Sequence, residues 1–221
     1  MQYPDFFDAV PHLSVRDPLA QFLGAIADGV IEYSYLDAVK LAGHSCPTVA
    51  SAYWLTRQAL GALYGEELPE RGAIRVDFRD DRQAGATGVI ANVVSMLTGA
   101  TADTGFKGLA GRFDRCGLLF FNADVPLDIR FTRTDNGAQV DAAADVRAVP
   151  GDPQTPVLMQ RCLSGEASPQ EVGRFGSMWQ DRVRRILLDH GEDKHVFVIR
   201  VTTPEYASPP CYAKEFPGYF G

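Results

Sequence analysis

Apolar residues recur at helical and strand spacings along most of the chain. Residues 17–27 read as a short amphipathic helix, with Asp17 as its cap and Pro18 in its first turn. Residues 34–42 read as a second helix, capped by Ser34. A longer helix opens at Pro47. Val49, Ala52, Tyr53, Leu60 and Leu63 fall close to a 3.6-residue period, and Gly65 ends it. Residues 73–79 alternate, with Ile74, Val76 and Phe78 set against Arg75, Asp77 and Arg79, the pattern of a half-buried strand. A turn-like stretch at 80–88 leads to a further helix. Its buried stripe is Val89, Ile90, Val93, Val94 and Leu97, and Gly99 closes it. After a Gly-rich loop at 98–112, strands are expected at 116–122, 127–133 and 138–146. Asn136-Gly137 marks a hairpin between the last two.

A linker at 150–153 precedes a short helix near 156–163 and a longer one near 168–189, opened by Ser168 and Pro169. The longer helix carries a stripe of Val172, Phe175, Trp179, Val183, Ile186 and Leu187, expected to pack on the core or a second subunit. Its basic run, Arg182, Arg184 and Arg185, is expected on a solvated face. A strand at 195–201 and a Pro/Tyr-rich tail from Pro209 to Gly221 follow. The mixture predicts an α+β fold: a mixed or antiparallel sheet packed with helices, and a His-x-Cys loop at a helix N-terminus. Residues 1–149 are expected to form the core with its N-terminal helices. Residues 150–221 are expected to form an extension of helix, strand and tail packed on that core as one structural unit.

The 221 residues suffice for one substantial domain, and 46% hydrophobic with 22% charged residues are ordinary globular values. A formal charge of −7 argues against nucleic-acid and anionic-membrane binding, which need a basic face. There is no run long enough to predict a membrane span. The first thirteen residues lack a basic segment, so no secretory signal is expected. Cys46, Cys116, Cys162 and Cys211 form no C-x-x-C pair. Reduced thiols, a cytoplasmic location and buried sites for Cys116, Cys162 and Cys211 are therefore expected. His12 and His190 are expected at the surface and His195 at the start of a strand.

The segment richest in chemistry is Gly43-His44-Ser45-Cys46-Pro47. It places an imidazole and a thiol two residues apart at a helix N-terminus, whose free N–H groups favour the thiolate. Thiolate and neutral imidazole are ligands for Zn²⁺ and related ions. The same pair can act as nucleophile and base, or serve only as a buried cap with an incidental histidine, and the residues leave all three open. The loop at 98–112 sets Lys107 among glycines, suited to an anion, but its spacing is neither a Walker A loop nor a dinucleotide fingerprint. It reads equally as a tight turn with an exposed lysine. Asp77-Phe78-Arg79-Asp80-Asp81-Arg82 lies at a strand end, where carboxylates often function, although an ion-paired turn is the plainer reading.

The 43–47 segment, followed by a helix with small residues at Ala50 and Ala52, resembles the signature of the FmdE-like family. That family takes its name from a component of formylmethanofuran dehydrogenase, and its signature is Gly-His-x-Cys-Pro-Gly before a helix. The strand at 74–78, the helix at 89–97, and Thr98-Gly99-Ala100-Thr101 with Gly105, Lys107 and Gly108 resemble its second half, where Thr-Gly-Cys-Thr and Gly-Lys-Gly occur. The resemblance covers about residues 34–146. It implies an α+β core, often dimeric, with a metal-binding or active site around the His-x-Cys motif. Thr48 and Ala100 depart from the pattern, standing where the family has a glycine and a cysteine. Asp80-Asp81-Arg82-Gln83-Ala84 lacks a further cysteine, and Cys211 alone provides no C-terminal zinc finger. Cys46 is left with Cys116 as the only candidate second thiol, which argues against a redox dithiol. A carboxylate, water, ligand or second subunit would have to complete a metal site.

The first expectation is therefore a metal-binding FmdE-like protein, a metal-dependent enzyme acting on a small anionic substrate. His44 and Cys46 would ligate a transition metal, zinc by their chemistry. His44, Cys46 and Lys107 are the candidate catalytic groups, and Thr98, Thr101, Lys107 and Arg79 the candidate substrate contacts. A metal-free cysteine enzyme using Cys46 and His44, and a non-catalytic accessory or metal carrier within a redox enzyme, are the alternatives. In the accessory reading the Pro/Tyr-rich tail docks. The expected partners are a second copy of the chain and a small-molecule ligand.

Overall fold

The computed structural model describes residues 2–202. Cys211 and the Pro/Tyr-rich tail lie outside the described residues. A 3₁₀ turn at Asp5–Ala9 precedes β1 (Leu13–Arg16), which pairs antiparallel with β2 (Val30–Tyr33). Between them stands α1 (Pro18–Phe22), capped as expected: Asp17 Oδ1 accepts the Leu19 and Ala20 N–H groups at 3.0 and 3.1 Å. It ends well short of residue 27, because the chain turns left-handed at Gly24, where φ is +70°. α2 (Tyr35–Ala42) starts at Ser34, whose N–H and hydroxyl both donate to Asp37, and stops at Gly43 with φ +75°.

α3 (Pro47–Tyr64) begins at the predicted residue, and its whole stripe from Val49 to Leu63 is buried. β3 (Ile74–Phe78) and α4 (Thr87–Thr98) follow. Val89, expected in the α4 stripe, is exposed, whereas Val93, Val94 and Leu97 are buried. The Gly-rich loop contains a small hairpin of β4 (Lys107–Leu109) and β5 (Arg112–Asp114). It turns at Ala110 and Gly111, both at positive φ.

β6 (Leu119–Phe120), β7 (Ile129–Arg133) and β8 (Gln139–Ala144) are shorter than their expected segments. The Asn136-Gly137 turn joins β7 to β8. α5 (Thr155–Leu163) and α6 (Pro169–Arg184) come next. α6 runs into a π-helical turn at Arg185–Asp189, and β9 (Phe197–Thr202) completes the described chain. The sheet order is β6-β3-β7-β8-β9, with β6 parallel to β3 and the other pairs antiparallel. The fold is α+β with a mixed sheet, and β9 extends the sheet along β8.

One sheet face is apolar. Ile74, Val76, Phe78, Ile129, Phe131, Val140 and Ala142 are buried there in one core with α3 and α4. The other face is charged. Asp77, Arg130, Asp141 and Arg200 stand in register across four strands. Arg75 bonds Asp77, and Arg130 bonds Asp141 at 2.7 and 3.0 Å. Pairing lets Asp77 be buried although strand alternation marks it as solvent-facing.

The far stripe of α6 divides. Val183, Ile186 and Leu187 are fully buried, but Val172 is exposed. The basic run is not simply solvated. Arg182 donates to the Val149 and Val146 carbonyls, Arg185 reaches Asp181 and the Pro150 carbonyl, and Arg184 grips Asp189. Arg182 and Arg185 tie the end of α6 to the 146–150 segment, while Arg184 braces the π-helical turn. Cys116 and Cys162 are half-buried free thiols rather than core residues. His195 lies in the turn just before β9, and His12 is exposed with Glu32 at 2.9 Å. His190 is half-buried and meets Asp193 at 3.2 Å. No helix among the described residues is long and apolar enough to cross a membrane.

Candidate functional site

The loop between α2 and α3 is shaped by its two ends. Gly43 takes the left-handed conformation that releases the chain from α2, and Pro47 supplies the first helical φ of α3. The three residues between them have divided tasks. Ser45 is the anchor. Its hydroxyl donates to Gln180 Oε1 at 2.9 Å, which leaves it to accept from the Tyr35 hydroxyl, also at 2.9 Å. Its carbonyl accepts from Trp179 Nε1 at 3.0 Å and Gln180 Nε2 at 3.1 Å. Tyr35 is fully buried, and burial pushes its phenol well above the ordinary value, so it serves as a neutral donor.

With Ser45 held inward, His44 is presented outward, while Cys46 sits half-buried against the core. His44 is exposed and places Nδ1 3.0 Å from the Ala42 carbonyl. A carbonyl only accepts, so in the neutral ring Nδ1 carries the proton and Nε2 keeps its lone pair free. Cys46 is the half-buried N-cap of α3, and its Sγ accepts the Val49 N–H at 3.5 Å.

The donor chemistry of His44 and Cys46 fits a borderline ion such as Zn²⁺, and metal-binding histidines are usually oriented through their other nitrogen, as His44 is. The number does not close within the described chain. Among the described residues no group of three or more His, Cys, Asp or Glu is placed to hold a metal. Further positions would fall to water, ligand or another copy.

The other sequence candidates are dispersed. Thr98 is buried; its hydroxyl donates to the Val94 carbonyl and accepts from the Ala100 N–H, so it serves the C-terminal turn of α4. Arg79, just past the end of β3, is paired with Asp128 and Asp80. This is the ion-paired turn reading of that segment. Lys107 is exposed on the β4–β5 hairpin, in register with Asp114. Thr101 is half-buried, with its hydroxyl and N–H on the Arg115 carbonyl at 2.6 and 2.9 Å.

Thr101 leads to a polar cluster that sequence reasoning misses. Asp17, Arg71 and Arg115 meet beneath the α4 C-terminus. Asp17 is 3% exposed and Arg115 5%. The Asp17 carboxylate receives Arg71 Nη1 at 2.8 Å and Arg115 Nη2 at 2.7 Å, besides its two α1 N–H groups. Burial alone would raise the Asp17 carboxyl, but Arg71, the Ala20 N–H and Arg115 outweigh it and hold it below the usual carboxylate range. Arg71 Nε reaches the Met96 carbonyl at 3.0 Å. Arg115 Nε and Nη1 find no hydrogen-bond partner among the described residues. Asp17 is visible in the sequence only as a helix cap. Nothing in local pattern links it to arginines 54 and 98 positions away. The polar indole of Trp179 in an apolar stripe is the one available hint of the Ser45 anchor, since a buried Trp N–H needs an acceptor.

A scan against protein-family models finds no match to this chain, and a search of curated proteins finds none either.

Proposed function

We propose that the 43–47 loop binds a transition metal through His44 and Cys46, zinc being the ion their chemistry suits best, and that the protein is a metal-dependent member of the FmdE-like group acting on a small anionic substrate. The observation that carries this reading is the division of labour in the loop. Every polar side-chain contact of Ser45 points into the protein, while the His44 Nε2 lone pair and the Cys46 sulfur are left as donors. A bound ion with open positions supplies Lewis acidity and an activated water. The chain's own part is to orient His44 through Ala42, to hold Cys46 at the α3 N-terminus, and to fix both through Ser45. A second copy of the chain is the natural source of further donors.

Titration of the reduced protein with Co²⁺ tests the reading. A thiolate-to-cobalt charge-transfer band, absent in Cys46→Ser and displaced by Zn²⁺, is the expected result. No band at stoichiometric metal would defeat it.

A second reading, a metal-free enzyme with Cys46 as nucleophile, is favoured by the Val49 N–H on Sγ. It requires Cys46 to be alkylated at pH 7 faster than free cysteine in the absence of metal. A rate no higher than that of free cysteine removes it.

A further inference from the structure

The Asp17, Arg71 and Arg115 cluster is out of balance. Two guanidiniums share one carboxylate, and that carboxylate already accepts four hydrogen bonds. Burying a cation without full pairing is costly, and burying two side by side is more so. Arg115 nevertheless lies almost wholly inside, with two of its nitrogens unpartnered among the described residues. Its position is prepared. Gly72 and Gly99, both at positive φ, leave the space that the guanidinium occupies. A Cβ at Gly72 would overlap it, and one at Gly99 would come within 2.7 Å of Nη1. Two left-handed glycines thus seat an arginine that the chain's own groups only half satisfy.

The cluster opens on a cleft of about 490 Å³. Arg71 and Arg115 line it, together with Asn92 and Ser95 of α4. Its apolar wall includes Leu41, Met96 and Phe106, and Leu41 and Phe106 are largely exposed for such residues. Positive charge at the base, amides and hydroxyls beside it, and apolar side chains at the mouth match one kind of ligand.

We infer that this cleft binds a small organic acid, its carboxylate drawn to the Arg71–Arg115 pair and its carbon skeleton lying against Leu41, Met96 and Phe106. Inorganic phosphate shares the oxyanion but has nothing to place on the apolar wall, so it binds more weakly. Arg115 Nε and Nη1 are buried on the Gly72 and Gly99 side, so completing their hydrogen bonds on the ligand requires the guanidinium to turn towards the cleft when the acid binds. The inference rests on the proposed function only for the acid being the substrate of the 43–47 loop, two residues beyond Leu41. Binding itself needs no metal.

The test is titration of the metal-free full-length protein with butyrate, succinate and inorganic phosphate. Heat of binding is followed together with the arginine Nε–H resonances. A carboxylate probe is expected to saturate, to shift the Arg115 Nε–H signal, and to bind at least fivefold more tightly than phosphate. Arg115→Gln should weaken it at least tenfold. Should that variant fail to fold, Asn92→Asp, at an exposed position, places a repelling charge at the mouth and should also weaken binding severalfold. Binding undiminished in the folded variants, or no probe moving the Arg115 signal, overturns the site. Phosphate binding as tightly as the carboxylates overturns the organic-acid assignment. Carboxylate binding retained in His44→Ala/Cys46→Ala supports the cleft whatever becomes of the metal reading.

Discussion

The indole Nε1 of Trp179 donates to the carbonyl of Ser45 at 3.0 Å, across 134 positions of sequence. A helix from the last third of the chain thereby holds the loop that carries His44 and Cys46. The bond is part-buried, and Gln180 donates to the same oxygen. Trp179→Phe keeps most of the apolar contact and removes the donor. It should cost about 1 kcal/mol of stability. It should also raise the rate of Cys46 alkylation severalfold, because the loop loses one of its two carbonyl ties. Denaturant melts with parallel alkylation kinetics check both.

Cys46 occupies an N-cap position, where a serine hydroxyl is the better acceptor of a backbone N–H. Cys46→Ser is therefore expected to be as stable as the parent or more so by roughly 0.5 kcal/mol, while losing the metal and thiol chemistry of the loop. A chemical melt with cobalt titration of the same variant separates the two effects. A variant clearly less stable than the parent would show that the sulfur is held for packing.

Asp17 carries a prediction about acid. Its folded-state pKa lies below the ordinary 3.8, so it adds stability above that value, and the contribution fades as pH falls through the folded pKa. Asp17→Asn should be destabilised at neutral pH, since it leaves two guanidiniums without a carboxylate. The difference from the parent should shrink as pH drops below 3.8. Urea melts from pH 7 to pH 2.5 would show the curves converging. A constant gap would remove the carboxylate from the account.

Gly191 lies under the Trp54 ring, whose Nε1 donates to the Gly191 carbonyl at 2.6 Å. A Cβ there would collide with the indole and with the Leu187 carbonyl. Gly191→Ala should cost about 1–3 kcal/mol by overpacking. By the opposite mechanism, Leu187→Ala, at a fully buried position, should cost about 2–5 kcal/mol through the cavity it leaves. Thermal melts of the two variants test whether the end of α6 belongs to the main core.

Much of this fold can be read along the chain because its signals are local. Ser34, Pro47 and Ser168 start helices where capping chemistry says they should, and Asn136-Gly137 makes the expected hairpin turn. The strands β1 and β2 escape such reading. Each has four residues, too few for alternation to show, and they find each other across the intervening α1. The 43–47 loop is legible as chemistry because proline, cysteine and histidine cluster in it. What holds it, Tyr35, Trp179 and Gln180, is not, since those contacts form only when α2, α3 and α6 come together. The same holds for Arg115, whose glycine seats and carboxylate partner come from three separate stretches of sequence.

The most direct test of the central claim is elemental analysis of the untagged protein, prepared under reducing conditions, beside a folded His44→Ala/Cys46→Ala variant. The expected result is about one transition-metal ion per chain, or about one per two chains if a second copy completes the site, and its loss in the variant. Equal metal content in both proteins, or none in the parent even after incubation with zinc, would contradict it.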